Sequence, residues 1–250
     1  MRILSFDCAN KSLAVCGIFI DKCAIDNALN LITKLNSAAK EIADIIGLGQ
    51  TVTKSRVTKL SRKYETQYSS KQIEEIFKKW RALISELPKL ICAILSIWKL
   101  EYQQSFDLLP GKKVRETEPV ERCVALKSAI ETVRANYPGQ YDLVVVEDQM
   151  NINEKSRGVF YCLLYEFGSV ARSIKAHEKN KLALGGHYRC NFLAEYASAW
   201  SANKAHSRAN FQVIAAELGL NVPKKHIADI ADAYFQAIAY TIINRGDLLL

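Results

Sequence analysis

Asp7, Glu147, Asp229 and Asp232 are the residues whose types and settings point to chemistry. Asp7 closes a short apolar run containing Ile3, Leu4 and Phe6, and Glu147 closes the run Leu143-Val144-Val145-Val146. Runs that are apolar at consecutive positions suit strands buried on both faces. A carboxylate at the end of such a strand is costly to desolvate unless a cation or hydrogen-bond donors face it. Asp229 and Asp232 stand three apart in a segment of helical character, so their side chains leave one side of the helix.

Each acid also has a plainer reading. Asp7 could cap a turn, and Asp229 and Asp232 could face solvent, balanced by Lys224 and Lys225. The set says more than its members. Parallel α/β sheets place functional groups at the carboxyl ends of their strands, and four carboxylates converging there cannot all remain ionised without cations. Hard divalent ions with oxygen ligands fit that need, Mg²⁺ in particular. Two such ions about 3.5–4 Å apart activate a water and stabilise the leaving oxygen of a phosphodiester.

The elements that would position these acids follow from the rest of the pattern. Residues 2–34 read as an antiparallel meander of three strands, with Asp21-Lys22 and Asp26–Asn30 as turn regions between Leu13–Ile20, Cys23–Ile25 and Leu29–Leu35. Helical spacing follows over Ala38–Ile46 and Gln72–Leu87, and Pro110-Gly111 marks a loop. Pro119–Ala135 reads as a helix stopped by Pro138-Gly139, and Tyr141–Gln149 as the central strand. Ser156–Lys175 reads as one long helix, Leu182–Leu193 as a further strand, Ser207–Leu218 as a helix, and the segment after Pro223 as the helix carrying Asp229 and Asp232. The expected whole is a single α/β domain over 1–250, with a helical basic insertion over 37–116.

Charge is concentrated in that insertion. The 250-residue chain has a net charge of +8, and residues 51–113 hold 13 Lys or Arg against 6 Asp or Glu. A surplus of positive charge favours polyanions. Lys54, Arg56, Lys59, Arg62 and Lys63, with Tyr64 and Tyr68 among them, have the makings of a surface that tracks a phosphate backbone while aromatic rings stack; the plainer alternative is a solvated helical hairpin. Seven cysteines without a C-x-x-C pair suit a reducing compartment, and a strand pattern that starts at once is expected to leave no room for a leader, so the expectation is an intracellular protein that is not secreted. His187 and Cys190 have a ligand-like spacing but no second pair, which argues against a structural zinc.

Phe6-Asp7, Val146-Glu147-Asp148-Gln149 and Asp229-Ile230-Ala231-Asp232-Ala233, in this order and spacing, resemble the motifs of the RuvC-type Holliday junction resolvases of the RNase H-like superfamily, and within them the poxvirus and large-DNA-virus branch. The likeness runs over residues 1–35 and about 117–243. It departs from the family at Ala9, where glycine is usual, and in the length of 37–116. The resemblance implies an RNase H-like mixed five-stranded sheet, its first three strands antiparallel and the rest parallel, flanked by helices. It implies two Mg²⁺ ions, with Mn²⁺ able to substitute, held by Asp7, Glu147, Asp229 and Asp232. It further implies a homodimer that resolves four-way DNA junctions by paired symmetric nicks, in the host cytoplasm or nucleus if the source is viral. Lys224 or Lys225 would steady the scissile phosphate, and the Ser156–Lys175 helix would form the dimer interface.

Three alternatives stand beside this expectation. Another RNase H-like nuclease would cut RNA–DNA hybrids or flaps, and a non-catalytic junction-binding protein would use the basic segment alone. An actin-like ATPase also opens on a strand ending in Asp, but it needs Gly-rich phosphate loops that the scattered glycines do not form.

Overall fold

The two apolar runs that end in the first acids become neighbouring central strands. The computed structural model describes residues 1–9, 11–27, 29–30, 33, 71, 75, 78, 82, 96–113, 116–148, 154–176, 178, 208, 211–212, 215–216, 219, 222 and 226–244. Within them lie β1 (Arg2–Cys8), β2 (Ser12–Ile20), β3 (Trp98–Asp107), α1 (Pro119–Asn136), β4 (Leu143–Asp148), α2 (Glu154–Phe167), β5 (Ala171–Lys175) and α3 (Ile227–Ile243). The strands form one sheet in the order β3-β2-β1-β4-β5. β1 pairs antiparallel with β2, and β2 antiparallel with β3, while β4 runs parallel to both β1 and β5. This is the mixed five-stranded sheet expected from the sequence, its first three strands antiparallel and the rest parallel, with helices against it.

Side chains alternate across the sheet and sort into two layers. Ile3, Cys16, Leu143 and Val145 pack with α3, whereas Leu4, Phe6, Val15, Val144 and Val146 pack with residues of α1 and α2. Both faces of β1 and β4 are covered, which explains why their sequences are nearly continuous apolar runs. Each fully buried Leu, Ile, Val or Phe contributes roughly 1.5–3 kcal/mol of transfer free energy. α1 starts where Pro119 supplies a φ already suited to a first turn. Glu121 in that turn bonds Lys112 at 2.6 Å. Among the described residues, no helix is long and apolar enough to cross a membrane.

The third and fifth strands are not where the sequence pattern puts them. Residues 22–24 form a 3₁₀ turn whose Asp21 side chain accepts from the Cys23 N–H at 3.0 Å, and 25–27, 29, 30 and 33 are helical. The third strand is Trp98–Asp107 instead, so part of the 37–116 span belongs to the sheet. Trp98 fixes it there. Its indole Nε1–H donates to Thr241 Oγ1 at 3.0 Å, and its carbonyl accepts from the buried Tyr234 hydroxyl at 2.7 Å.

The expected Ser156–Lys175 helix stops early for a backbone reason. Gly168 has φ +53, the left-handed conformation that ends helices, and after a short 3₁₀ turn the chain becomes β5 at Ala171. The segment Leu182–Leu193 lies outside the described residues, as does most of the insertion. The expected Ser207–Leu218 helix is helical at positions 208, 211, 212, 215 and 216.

Candidate active site

Strand register brings the first two acids together. The β1–β4 pairing runs from Ile3–Leu143 to Phe6–Val146, so the next residues, Asp7 and Glu147, are neighbours on adjacent parallel strands, roughly 4.8 Å apart between backbones. The register is pinned at the far end. The Arg2 N–H donates to Asp142 Oδ2 at 2.6 Å, and the Asp142 N–H donates back to Arg2 O at 2.9 Å. Asp7 shares the face of Ile3, and Glu147 that of Leu143 and Val145, which is the α3 side of the sheet.

α3 lies over that same face. Cys16 Sγ–H donates to Ile230 O at 3.3 Å, seating the helix on β2 between its two acids. His226, the residue before α3, contacts Ser105 Oγ through Nδ1 at 3.1 Å. Ser105 pairs with Ala14, and Ala14 with Asp7, so the start of α3 is level with the Asp7 row. From α3, Gln236 Nε2 donates to Glu147 Oε2 in a short hydrogen bond. Asp232 lies just over one turn before Gln236, about 6 Å along the axis, and Asp229 nearly one turn earlier still, so all three project from one side.

Burial makes this an unusual place for acids. Asp7 and Glu147 are each 9% exposed and Asp232 is 6% exposed, with Asp229 half-buried. Taking several carboxylates out of water costs several kcal/mol each unless partners compensate. Their field is felt nearby. Burial first, then the charges of Asp7 and Glu147, push the Cys8 thiol well above its usual range, and Cys16 is raised by burial and by Asp7.

Asp7, Glu147, Asp229 and Asp232 therefore share one end and one face. Among the described residues, however, no three carboxylate, imidazole or thiol groups stand close enough together to hold a single ion. The donor set suits a hard divalent cation in kind, being all oxygen and sheltered from bulk water. Lys54, Arg56, Lys59, Arg62, Lys63, Lys224, Lys225 and Gln149 lie outside the described residues.

Gln236 is the site residue that the sequence reading misses. Its signal is a single polar residue in the apolar stretch Ala233–Tyr240, four residues after Asp232. His226 is a second, three residues before Asp229.

No family profile matches the chain, and no curated protein sequence matches it significantly. Among solved structures it is similar to RuvC of Thermus thermophilus, at 10% identity and a TM-score of 0.45, over 99% of this chain and 97% of that one. It is also similar to T. thermophilus RuvC in complex with a Holliday junction substrate, at 11% identity and a TM-score of 0.45, over 98% and 96% of the respective chains.

Proposed function

We propose that this protein is a metal-dependent, structure-selective endonuclease that resolves four-way DNA junctions by paired symmetric nicks, of the RuvC type and nearest in its motifs to the poxvirus branch. The observation that carries the reading is the neighbouring of Asp7 and Glu147 at parallel strand ends beneath the acid-bearing side of α3. Asp7, Glu147, Asp229 and Asp232 would hold two Mg²⁺ ions, which when bound supply charge neutralisation at the phosphate and an activated water. The chain's own part is positional. The sheet fixes Asp7 and Glu147, α3 fixes Asp229 and Asp232, and their burial keeps bulk water from screening the anionic set. Breaking the phosphodiester on the 3′-oxygen side leaves 5′-phosphate and 3′-hydroxyl ends. Selectivity would rest on junction shape and bend more than on base edges.

Paired cuts call for two active sites related by a two-fold axis. The surface we assign to the second copy is the outer face of α2 with its neighbour α1, where Tyr161 and Tyr165 of α2 are 52% and 89% exposed and Val120 and Val124 of α1 are exposed as well. A groove of about 340 Å³ runs between these helices, lined by Leu126, Ile130 and both tyrosines. The basic residues of 51–63, together with Lys224 and Lys225, are assigned to the DNA backbone by their charge.

A labelled four-way junction, incubated with Mg²⁺ beside hybrid and flap substrates, tests the reading. The wild-type chain is expected to nick the junction symmetrically. Asp7→Asn is expected to abolish nicking while junction binding survives. An Asp7→Asn protein that nicks at the wild-type rate ends the assignment, and preferred cutting of hybrid or flap redirects it. The spacing of the acids, too wide among the described residues for three to share one ion, favours a second reading as a non-catalytic junction binder. That reading predicts binding with no Mg²⁺-dependent turnover by the wild-type protein.

A further inference from the structure

Gln236 is fully buried, yet it is a polar residue in the most apolar part of α3. Its Nε2 donates to Glu147 Oε2. Its Oε1 meets no donor among the described residues. A buried amide with an unsatisfied oxygen weakens a fold relative to an apolar side chain of similar size. Local packing therefore gives no reason for an amide at this position, since its neighbours along the helix, Ala233, Ala237 and Ile238, are all buried and apolar.

We infer that Gln236 is a positioning residue for Glu147, holding that carboxylate at the acid-lined end of the sheet in the orientation from which it would take up a divalent cation. This rests on the nuclease reading above.

The geometry carries the inference in two ways. The hydrogen bond joins β4 to α3 across 89 residues of chain, so it fixes the distance between the strand acids and the helix acids as well as the rotation of one carboxylate. Gln236 also follows Asp232 by four residues and Asp229 by seven, placing amide and acids on one side of the helix. With Oε2 engaged by an N–H donor, the Glu147 carboxylate cannot rotate freely. Outer partners of metal-binding carboxylates commonly act in this way, and their loss costs roughly 10–100-fold in metal affinity. A neutral amide suits the task better than a lysine or arginine, which would compete with the cation for the same charge.

The test uses the full chain and two variants, Gln236→Met and Gln236→Leu, each apolar and of similar volume. Mn²⁺ binding is titrated calorimetrically on the protein without DNA, and thermal melting is recorded on the same samples. Both variants are expected to melt at or above the wild-type temperature while binding Mn²⁺ about 10–100-fold more weakly. Their nicking should recover in excess metal. Wild-type protein that takes up no Mn²⁺ overturns the acid-site reading itself. Wild-type protein that binds Mn²⁺, with variants that bind it equally well, overturns the role of Gln236 alone. Loss of the cooperative melt in both variants overturns that role too, because it would make the amide a structural requirement.

Discussion

The two faces of the sheet differ in what they bury. Beneath α3, the upper part of the layer holds Ser5, Asp7, Glu147, Asp232 and Gln236 in buried positions, and the Ser5 hydroxyl and the Gln236 oxygen lack partners among the described residues. Beneath α1 and α2, the interior is Leu4, Phe6, Val15, Leu126, Ile130, Val133, Val144, Val146 and Leu163. Arg122 is the polar exception there, 3% exposed with an unpartnered Nη1. One face thus supplies apolar stabilisation, while the other gives some of it up to keep acids where water is scarce. The contrast teaches that stability alone does not account for the polar face, since an apolar one would fold more stably.

The strongest way to break this comparison is to make one substitution on each face. Asp232→Asn is expected to remove Mg²⁺-dependent nicking while leaving the melting temperature unchanged or raised, because it removes one of several buried like charges. Leu163→Ala, on the opposite face, is expected to cost about 2–5 kcal/mol of stability, measured by urea unfolding, with activity per folded molecule unchanged. If Asp232→Asn destabilises as much as Leu163→Ala, the acids belong to the structural framework and the division between faces fails.

How far the sequence could be read also divides along these lines. β1, β2, β4 and α1 were legible because their patterns are local: unbroken apolar runs, a proline at a helix start, glycine after a helix end. The elements that carry the four acids were legible for the same reason, since Asp7 and Glu147 close such runs and Asp229 and Asp232 share a helical spacing. β3 was not. After Leu100 its residues are polar or half-buried, and what makes it a strand is the distant pairing of Trp98 with Tyr234 and Thr241. β5 was hidden because Arg172, Ser173 and Ile174 continue the helical composition of α2, and the φ of Gly168 makes the break. Gln236 escaped because its meaning depends on Glu147, 89 residues away.

A smaller effect probes the end of the apolar face away from the acids. Gly17 in β2 sits under Tyr137 and Tyr102, and a Cβ there would come within 2.6 Å of Tyr137 Cε1 and 2.9 Å of Tyr102 Cβ. Tyr137 cannot retreat easily, since Arg2 lies 4.2 Å over its ring and its hydroxyl donates to Glu101 at 2.7 Å. Gly17→Ala is expected to cost about 1–3 kcal/mol through overpacking, with no change in Mg²⁺ dependence. A loss of metal response in this variant would mean that the two ends of the sheet are coupled.

The smallest effect belongs to the outer surface of the same face. Arg134 on α1 bonds Glu166 of α2 at 2.7 Å, with both side chains well exposed, and lies 5.4 Å from the Phe167 ring centre. Exposed ion pairs contribute about 0–1 kcal/mol and are screened by salt, and the ring contact adds about 0.5–1 kcal/mol. Arg134→Ala should therefore lower stability by at most about 2 kcal/mol. Part of the loss should disappear when wild type and variant are compared in 1 M salt, where only the ion pair is screened. A loss that salt leaves wholly intact would place the weight on the ring contact. A loss as large as that of Leu163→Ala would mean that the α1–α2 seam holds the apolar face together as firmly as its buried interior does.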